Sequence, residues 1–272
     1  MTVAAPPRRE MTSGARYRHS LWLLTKRDLK VRYSTSALGY LWSILDPLLM
    51  SAIYYFVFVI VFDRSAVDKP YIVFLLTGLL PWVWFSGAVG DMTRAFIRDA
   101  KLIRSTSIPR SIWVMRIVCS KGIEFLASIP VLIIFVLASL ATTTPAHLQW
   151  GAFYSLLAIA IQAVLITGIG LIIAPVVVFF RDLERAVKLV LRLMFYVTPI
   201  VYGLEKFNTH HEIKALISFN PMTGITALYR ASFFSGELDW FAVLMSVVIS
   251  LIVLGVGMLT FRRNVRAVLK EI

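Results

Sequence analysis

Ionisable side chains within long apolar stretches are the residues of this sequence best suited to do chemistry. Asp46 precedes Pro47 near one end of the first such stretch, and Lys121 and Glu124 lie at the start of the third. In lipid, charged groups of this kind mark proton relays or substrate sites, or they neutralise one another. Because a spacing of three residues puts Lys121 and Glu124 on one helix face, a structural ion pair is favoured over a proton or substrate site.

Motifs for nucleotide and hydrolytic chemistry are absent from the sequence. It has no G-x-x-x-x-G-K-[ST] loop for ATP phosphates, no G-x-S-x-G nucleophile and no H-E-x-x-H zinc pair. The four His lack ligand partners at helical spacing, and the single cysteine, Cys119, supports neither an internal disulfide nor a zinc site. We therefore expect no catalytic residue, metal or cofactor in this chain.

Six long apolar stretches must position these charges. They are residues 41–62, 71–90, 120–140, 150–180, 189–203 and 240–261. A bilayer core about 30 Å thick is crossed by about 20 helical residues. Lipid offers no partner to unpaired backbone groups, so each stretch is predicted to be a transmembrane helix. With 58% hydrophobic residues, the chain has too little polar surface for a soluble domain of this size.

Basic residues alternate between the two sides of these predicted spans. The segments before the first span, between the second and third, between the fourth and fifth, and after the sixth hold 21 Lys and Arg, whereas the other three hold 5. Cytoplasmic loops carry such an excess, so both termini are predicted to be cytoplasmic. The net charge of +13 then reflects attraction to the anionic inner leaflet rather than binding of nucleic acid.

The chain is predicted to consist of a short tail and one membrane domain. Residues 1–16 have few apolar side chains, which predicts a disordered cytoplasmic tail. Residues 17–272 are predicted to form a single six-span transmembrane domain. Within it, residues 17–33 mix apolar and basic side chains, as is typical of a helix lying at the inner membrane surface. The residues assigned to this interfacial helix are Trp22, Lys26, Arg27, Lys30 and Arg32.

A second amphipathic segment, residues 91–104, lies between the second and third spans. One face carries apolar residues at helical spacing and the other is basic, which favours a short docking helix over a solvated basic loop. The apolar residues are Met92, Phe96, Ala100 and Ile103, and the basic ones are Arg94, Arg98 and Lys101. The next inner loop is also compatible with a helix, in which Glu184 and Lys188 would form an i, i+4 pair.

The segment 205–239 precedes the last span. Its two amphiphilic runs, 213–219 and 222–234, are separated by a break at Asn220 and Pro221. The segment is too apolar for a loop and too short for two more spans, so we expect a re-entrant or interfacial helical hairpin on the outer face. Glycines that would allow close packing of the fourth and sixth spans are Gly168, Gly170, Gly255 and Gly257.

Aromatic side chains are frequent in the first, second and fifth spans. An aromatic belt at the membrane interface explains most of them. Alternatively, some line a wide channel, in which sugar rings would stack on aromatic faces while their hydroxyls slide past. The candidates for such a lining are Tyr54, Tyr55, Trp82, Trp84, Phe85, Tyr196 and Tyr202.

Several segments carry recognisable motifs. They are residues 27–33 (RDLKVRY), 36–42 (SALGYLW), 47–48 (PL), 77–82 (TGLLPW), 180–183 (FRDL), 195–202 (FYVTPIVY) and 220–224 (NPMTG). From about residue 24 to its C-terminus the sequence resembles polysaccharide-export permeases of the ATP-binding-cassette superfamily, which export O-antigen, teichoic acid, capsule or galactan. Residues 105–110 (STSIPR) depart from the family's usual basic-aromatic run before Pro-Arg.

The resemblance implies a division of labour between subunits. Two permeases, usually identical, act with two copies of a separate ATPase that binds ATP and Mg²⁺, and they move a lipid-linked polysaccharide across the bacterial inner membrane. In this chain the interfacial helix and the basic amphipathic segment would dock on the ATPase. The docking residues would be Arg94, Phe96, Arg98, Lys101, Ile103 and Arg104.

The resemblance also implies a route for the substrate. The first, second and fifth spans would border the conduit, and short outer helices that include Asn220, Pro221 and Tyr229 would close its exit. A lipid-pyrophosphate head is anionic, and the candidates to receive it at the inner face are Arg116 and Lys121. The chain would then be a transport subunit rather than an enzyme.

Other classes of function stay open on the residues alone. An ion-coupled secondary carrier would use Glu124 or Asp46, although no broken pair of spans in matching positions is visible. An integral-membrane lipid or glycan enzyme would need convergent acidic or His residues on one face, which the sequence lacks. A purely structural membrane subunit would not need two amphipathic inner helices and a long apolar outer segment.

Overall fold

The computed structural model describes residues 12–34, 41–61, 69–141, 145–207 and 209–271. Over these ranges the chain is all-helical, without a strand, as the apolar stretches predicted. The helices are α1 (Ser13–Ser34), α2 (Trp42–Tyr55), α3 (Tyr71–Met92), α4 (Ala100–Ser105), α5 (Ile112–Ser139), α6 (Ala152–Phe179), α7 (Leu183–Val197), α8 (His211–Ser218), α9 (Pro221–Arg230) and α10 (Trp240–Glu271).

Four helices of the described part are long and apolar enough to cross a membrane. They are α3, α5, α6 and the portion Trp240–Val268 of α10. The first predicted span corresponds to α2, which has 14 residues and continues directly into the π-helical turn Phe56–Val61. The third span begins earlier than predicted, at Ile112 rather than 120, because Arg116 near its start is paired with Asp28 and Asp99 of other segments. Lys121 is paired with Glu124 within the helix.

The fifth predicted span, 189–203, has the wrong boundaries. Helix α7 begins at Leu183 and ends at Val197, so the helix takes in the charged inner loop and stops before the predicted end. The reason for the stop is local. Pro199 disfavours helical backbone in the residue before it, and Thr198 is extended, with φ −74° and ψ 134°.

Helix α1 begins inside the predicted tail 1–16, at Ser13. Residues 1–11, which make up most of that tail, and residues 36–40 of the second motif lie outside the described part of the chain. Helix α1 turns Leu24 and Leu29 towards the rest of the molecule, where both are buried. It exposes Trp22 and Val31 on other faces, which is the two-sided character expected of an interfacial helix.

Helices α6 and α10 approach each other most closely where two glycines meet. A Cβ added at Gly257 would lie 2.5 Å from the carbonyl oxygen of Gly168. Small residues at such positions let helix backbones pack directly against one another. The predicted close packing is therefore confirmed for Gly168 and Gly257. Gly255 instead has nothing within 4 Å of its added Cβ, and Gly170 faces Met92.

The predicted pair of short helices before the last span is confirmed as α8 and α9. Every residue from Met222 to Arg230 in α9 is buried, and the helix packs among α3, α6 and α10. The amide of Gly224 donates to Ser246 Oγ at 3.1 Å, and Ser246 lies roughly 9 Å along α10 from its start. The C-terminal end of α9 returns to Gly151, just before α6, where Ala231 leaves no room for a side chain.

Candidate functional site

A buried cluster of charges ties three elements together at the end of the molecule that carries α1 and α4, called here the basic end. Arg116 of α5 is 3% exposed. Its Nη1 donates to both carboxylate oxygens of Asp28 in α1 at 2.7 Å, and its Nη2 donates to Asp99, directly before α4, at 2.5 Å. Arg27 also donates to both acids, at 3.2 and 3.0 Å. These four residues, the Arg116 cluster, join α1, α4 and α5.

The Arg116 cluster bears on one sequence prediction, in which Arg116 was a candidate to receive an anionic lipid head. Its guanidinium is buried and paired with two carboxylates, and opening a buried ion pair for a ligand would be expensive. Arg116 therefore positions helices. It also lines a cavity of about 550 Å³, and its contact with a headgroup stays a prediction.

A second ion-pair network begins one turn further along α5. Lys121 Nζ donates to Glu124 at 2.9 Å, so the predicted ion pair is confirmed. Arg32 of α1 donates to the same carboxylate at 2.8 and 3.0 Å and to Asp91 of α3 at 2.7 Å. Arg32, Lys121 and Glu124 border a cavity of about 330 Å³ between α2, α3 and α5, which Asp46 also lines. Lys121, the other headgroup candidate, thus lies beside an open space.

A third ion pair connects the basic end to α7. Arg94 donates to Glu184 through Nε at 3.0 Å and Nη2 at 2.5 Å, and Lys188 donates to the same carboxylate at 2.6 Å. The predicted i, i+4 pair is therefore present. The hydrogen bonds from Arg94 and then Lys188 lower the pKa of Glu184 to about 2. Glu184 stays charged above that pH, so the contact persists throughout the physiological range and is lost only as the pH falls towards 2.

The predicted docking helix 91–104 is only partly helical. Residues 93–99 form turns, and α4 covers Ala100–Ser105. Two local causes break the helix: the Thr93 hydroxyl donates to the Gly90 carbonyl at 2.7 Å, and Asp99 turns towards Arg116. Side-chain bonds of this kind compete with helical backbone geometry.

The apolar stripe of this segment faces the chain's own core. Phe96 is 1% exposed and Ile103 is 0% exposed, and the Phe96 ring stacks on Phe261 of α10 with centroids 6.2 Å apart. The prediction that Phe96 and Ile103 contact a partner is therefore wrong, because neither side chain reaches the surface. Instead they anchor α4 to the bundle.

The basic face of the same segment is exposed. Arg98, Lys101 and Arg104 all lie at the surface, and none of them forms an ion pair with another described residue. Ile97, 42% exposed, lies beside them. Together these four residues, called the basic patch below, form an unneutralised cationic surface next to the anchored helix α4.

The basic residues of α1 divide into two groups. Arg27 and Arg32 form ion pairs with other segments of the chain and are partly exposed, at 37% and 31% of their side-chain surface. Trp22 is 58% exposed, and Lys26 and Lys30 are exposed as well. The periodicity of a sequence predicts on which face of a helix a basic residue lies. It does not predict which of the basic residues will be paired with an acid of a neighbouring helix.

Three of the aromatic conduit candidates are buried within the chain. Trp82, Trp84 and Phe85 are 6%, 4% and 1% exposed. Trp84 stacks on Phe125 with centroids 5.2 Å apart, and Trp82 meets the edge of Phe195 at 5.7 Å. These three side chains are packed within the chain in this structure, and their contact with a passing sugar stays a prediction.

The remaining aromatic candidates lie on α2 and α7 or just after it. Tyr196 is 69% exposed and Tyr55 is 41% exposed. Tyr54 is half-buried against Phe195, and Tyr202 donates its hydroxyl to the backbone carbonyl of Val197 at 2.8 Å. Tyr55 and Tyr196 thus have exposed rings, whereas Tyr54 and Tyr202 are largely engaged within the chain.

At the opposite end of the molecule, α9 is held by buried polar contacts. Asn220 caps the helix by accepting from the Met222 amide at 3.0 Å, and its side-chain amide donates to Thr198 Oγ1 at 2.8 Å. Pro221 occupies the first helical position, where its missing amide hydrogen costs nothing. Tyr229 is buried and donates to Gln162 of α6 at 3.2 Å. All three predicted gate residues therefore fix the position of α9.

Arg230 is a functional candidate that the sequence reasoning did not identify. It is 2% exposed, lies 3.6 Å over the ring of Phe74 and donates to the backbone carbonyl of Ile200 at 2.8 Å. The signal in the sequence was a lone charge within an apolar outer segment. Such a charge is retained only where it is paired or hydrogen-bonded, so it marks a fixed junction between α9 and the chain after α7.

Four helices of membrane length and a charged end that joins α1, α4, α5 and α7 are the features of an integral membrane protein. The family model of ABC-2 type transporters matches residues 19–234, and the chain belongs to this family. Two relatives are O-antigen export system permease proteins RfbA of Klebsiella pneumoniae. One is 39% identical over 81% of this chain and 82% of the relative, and the other is 38% identical over 89% and 91%. The polysialic acid transport protein KpsM of Escherichia coli is 24% identical over 89% and 92%.

Proposed function

We propose that this chain is the membrane-spanning subunit of an ATP-driven exporter that moves a lipid-linked polysaccharide across the bacterial inner membrane. The similarity to O-antigen export permeases, at 38% identity over 89% of the chain, carries the proposal. Members of the ABC-2 type family are transport subunits, so the energy for export is supplied by a separate ATPase that binds ATP and Mg²⁺. The chain itself is a gate and not an enzyme.

The proposed topology has six spans with both termini in the cytoplasm. In addition to the four helices of membrane length, helix α2 with its π-helical turn would supply the first span, and helix α7 would supply the fifth. Both are shorter than a membrane-length helix. The asymmetry of Lys and Arg supports this threading. Helices α8 and α9 would then form the re-entrant hairpin on the outer face, and their close fit against α10 and Gly151 would hold the exit closed.

A second copy of the chain would complete the conduit. Helices α2 and α7 expose large apolar residues such as Ile53 and Leu193 beside Tyr55 and Tyr196. Apolar faces on this scale are covered by lipid or by a partner. We propose that part of these faces borders the conduit, with Tyr55 and Tyr196 as the aromatic residues available to a passing sugar.

The ATPase would dock on the basic patch. Lys101 and Arg104 of the patch lie on α4, and Ile97 and Arg98 lie in the turns before it. The Arg116 cluster connects α4 to α1 and α5, while Arg94 and Glu184 connect the same segment to α7. Because of these contacts, a displacement of α4 would also displace α1, α5 and α7. Coupling requires that the two states of the conduit bind the ATPase differently, and this set of contacts offers the physical link.

Reversing the charge of Arg98 and Lys101 tests the docking surface. The double variant Arg98→Glu/Lys101→Glu should bind the ATPase roughly a hundredfold more weakly, because like charges facing each other across an interface cost several kcal/mol. Export should fall accordingly, while the ATPase keeps its own activity and the permease stays folded. The matched control is Arg262→Glu/Arg263→Glu, which reverses two exposed charges on α10 that are not part of the patch. Equal export by the two variants would contradict docking at α4.

The source of energy is tested by reconstituting the permease in lipid vesicles that carry a lipid-linked polysaccharide in one leaflet. We expect no translocation by the permease alone under an imposed proton or sodium gradient, and ATP-dependent translocation once the ATPase subunit is added. Transport by the lone permease driven by a proton gradient would instead support a secondary carrier. The hydrogen bonds from Arg32 and Lys121 to Glu124 oppose that reading, because they occupy the carboxylate that a proton relay would use.

A further inference from the structure

An apolar groove of about 480 Å³ runs between α1, α5 and α6. Its walls include Leu21 of α1, Cys119 and Gly122 of α5, and Ile159 and Ala163 of α6. The α6 residues lie well inside a membrane-length helix, so the groove reaches from the level of α1 into the predicted hydrocarbon region. It shares Trp84 and Phe125 with the cavity between α2, α3 and α5, but it contains no residue of the basic patch and neither Tyr55 nor Tyr196.

Two polar side chains on one face of α1, Arg18 and Thr25, line this otherwise apolar groove. Arg18 lines it, is exposed, and forms no ion pair with any described residue. Thr25, which also lines it, is 1% exposed, and its buried hydroxyl has no hydrogen-bond partner among the described residues. A buried hydroxyl without a partner is costly, so Thr25 indicates that a polar atom of a ligand belongs beside it.

We propose that the groove binds one glycerophospholipid of the inner leaflet as a resident lipid. The sequence of chemical groups fits: the phosphodiester would meet the Arg18 guanidinium, an ester carbonyl would accept from the Thr25 hydroxyl, and one acyl chain would fill the apolar channel past Cys119 to Ala163. A lone cation matches the single negative charge of a phosphodiester. A pyrophosphate-linked polyprenol carries more charge and would call for a second cation at the mouth, where the groove has only Arg18.

Such a lipid would be part of the contact between α1 and the membrane helices. Helix α1 carries Asp28 and Arg32, the acid and the cation that connect it to α5. The occupant of the groove would therefore influence how firmly α1 is held against the bundle, and it would link membrane composition to the charge networks. This inference does not rest on the proposed polysaccharide substrate.

The test uses the full chain, purified in mild detergent and analysed by native mass spectrometry before and after addition of phosphatidylglycerol. We expect one retained phospholipid per chain. Arg18→Glu should weaken its retention about tenfold or more, since it replaces a charge-assisted hydrogen bond to the phosphodiester with charge repulsion. Ala163→Phe should abolish retention by filling the channel. The matched control is Arg16→Glu, which reverses an exposed charge on the same helix outside the groove and should retain the lipid.

The single cysteine provides a second readout on the same samples. Cys119 lines the groove and is the only cysteine of the chain. Alkylation of Cys119 by N-ethylmaleimide should slow several-fold when phosphatidylglycerol is added to wild type or Arg16→Glu, and should be unaffected by lipid in Arg18→Glu. If Ala163→Phe does not fold, Thr25→Val offers a milder change that should weaken retention without altering volume. Equal lipid retention in Arg18→Glu and Arg16→Glu, or a bound mass matching a polyprenyl phosphate, would overturn the proposal.

Discussion

Replacement of Arg116 by Ala is expected to destabilise the chain by about 3–5 kcal/mol, because it leaves the buried carboxylates of Asp28 and Asp99 without their main cation. Those side chains are only 16% and 13% exposed, so water cannot take the place of the guanidinium. Arg27 contacts both acids at longer distances and compensates in part. The measurement is thermal or denaturant unfolding of the purified permease, followed by tryptophan fluorescence.

Two further variants separate the ion pair from a simple loss of volume. Lys101→Ala removes an exposed cation of the same basic end and should change stability by less than about 0.5 kcal/mol. The triple change Arg116→Met, Asp28→Asn and Asp99→Asn removes all three charges and should recover more than half of the loss, since a buried ion pair replaced as a whole costs little. If Arg116→Ala unfolds at the same denaturant concentration as Lys101→Ala, the cluster does not hold these helices together.

Hydropathy predicted the positions of the long helices well. The stretch 71–90 corresponds to α3 (Tyr71–Met92), and 150–180 corresponds to α6 (Ala152–Phe179). The reason is that the lipid interior favours any exposed apolar side chain regardless of its neighbours. The length and composition of a stretch are therefore enough to locate a membrane-length helix. At α5 the same reasoning placed the start too late, since a sequence does not show that Arg116 is neutralised by Asp28, 88 positions away.

Which molecule covers an apolar stripe could not be predicted from periodicity. Phe96 and Ile103 follow helical spacing, and that spacing indicates a buried face whether the cover is a partner or the chain itself. Here Phe261 of α10 provides the cover. Trp82 and Trp84 show the same limit, because their presence in the second span says nothing about which ring of another helix will lie against them.

Polar contacts between distant segments were the least accessible to sequence reasoning. Asn220 and Pro221 were identified as a break between two helical runs because an Asn-Pro pair is a local signal, and the structure makes them the cap and the first position of α9. Gln162 and Arg230 were missed, because their partners, Tyr229 and the carbonyl of Ile200, lie about 70 and 30 positions away. Such pairs can be read only after the helices have been placed side by side.

Replacement of Gly168 by Leu is expected to prevent α6 and α10 from packing, and so to lose the folded permease. A Cβ at this position would lie 2.6 Å from the Leu254 amide nitrogen and 2.8 Å from its Cα, and these are backbone atoms that cannot rotate away. Relief requires the two helices to separate along their contact, which also disrupts the fit at Gly257. Overpacking of this kind costs about 1–3 kcal/mol where side chains can yield, and here the cost should exceed that range.

The matched control for this change is Gly255→Leu on the facing helix. Both substitutions replace Gly by Leu within a helix and gain about 0.8–1 kcal/mol of helix propensity, but an added Cβ at Gly255 meets nothing within 4 Å. Fluorescence-detected size-exclusion of membrane extracts should therefore show a monodisperse peak for Gly255→Leu and aggregate for Gly168→Leu. Because propensity favours both variants equally, a difference between them reports the interhelical contact alone. A monodisperse Gly168→Leu protein of wild-type stability would mean that α6 and α10 do not meet at this glycine.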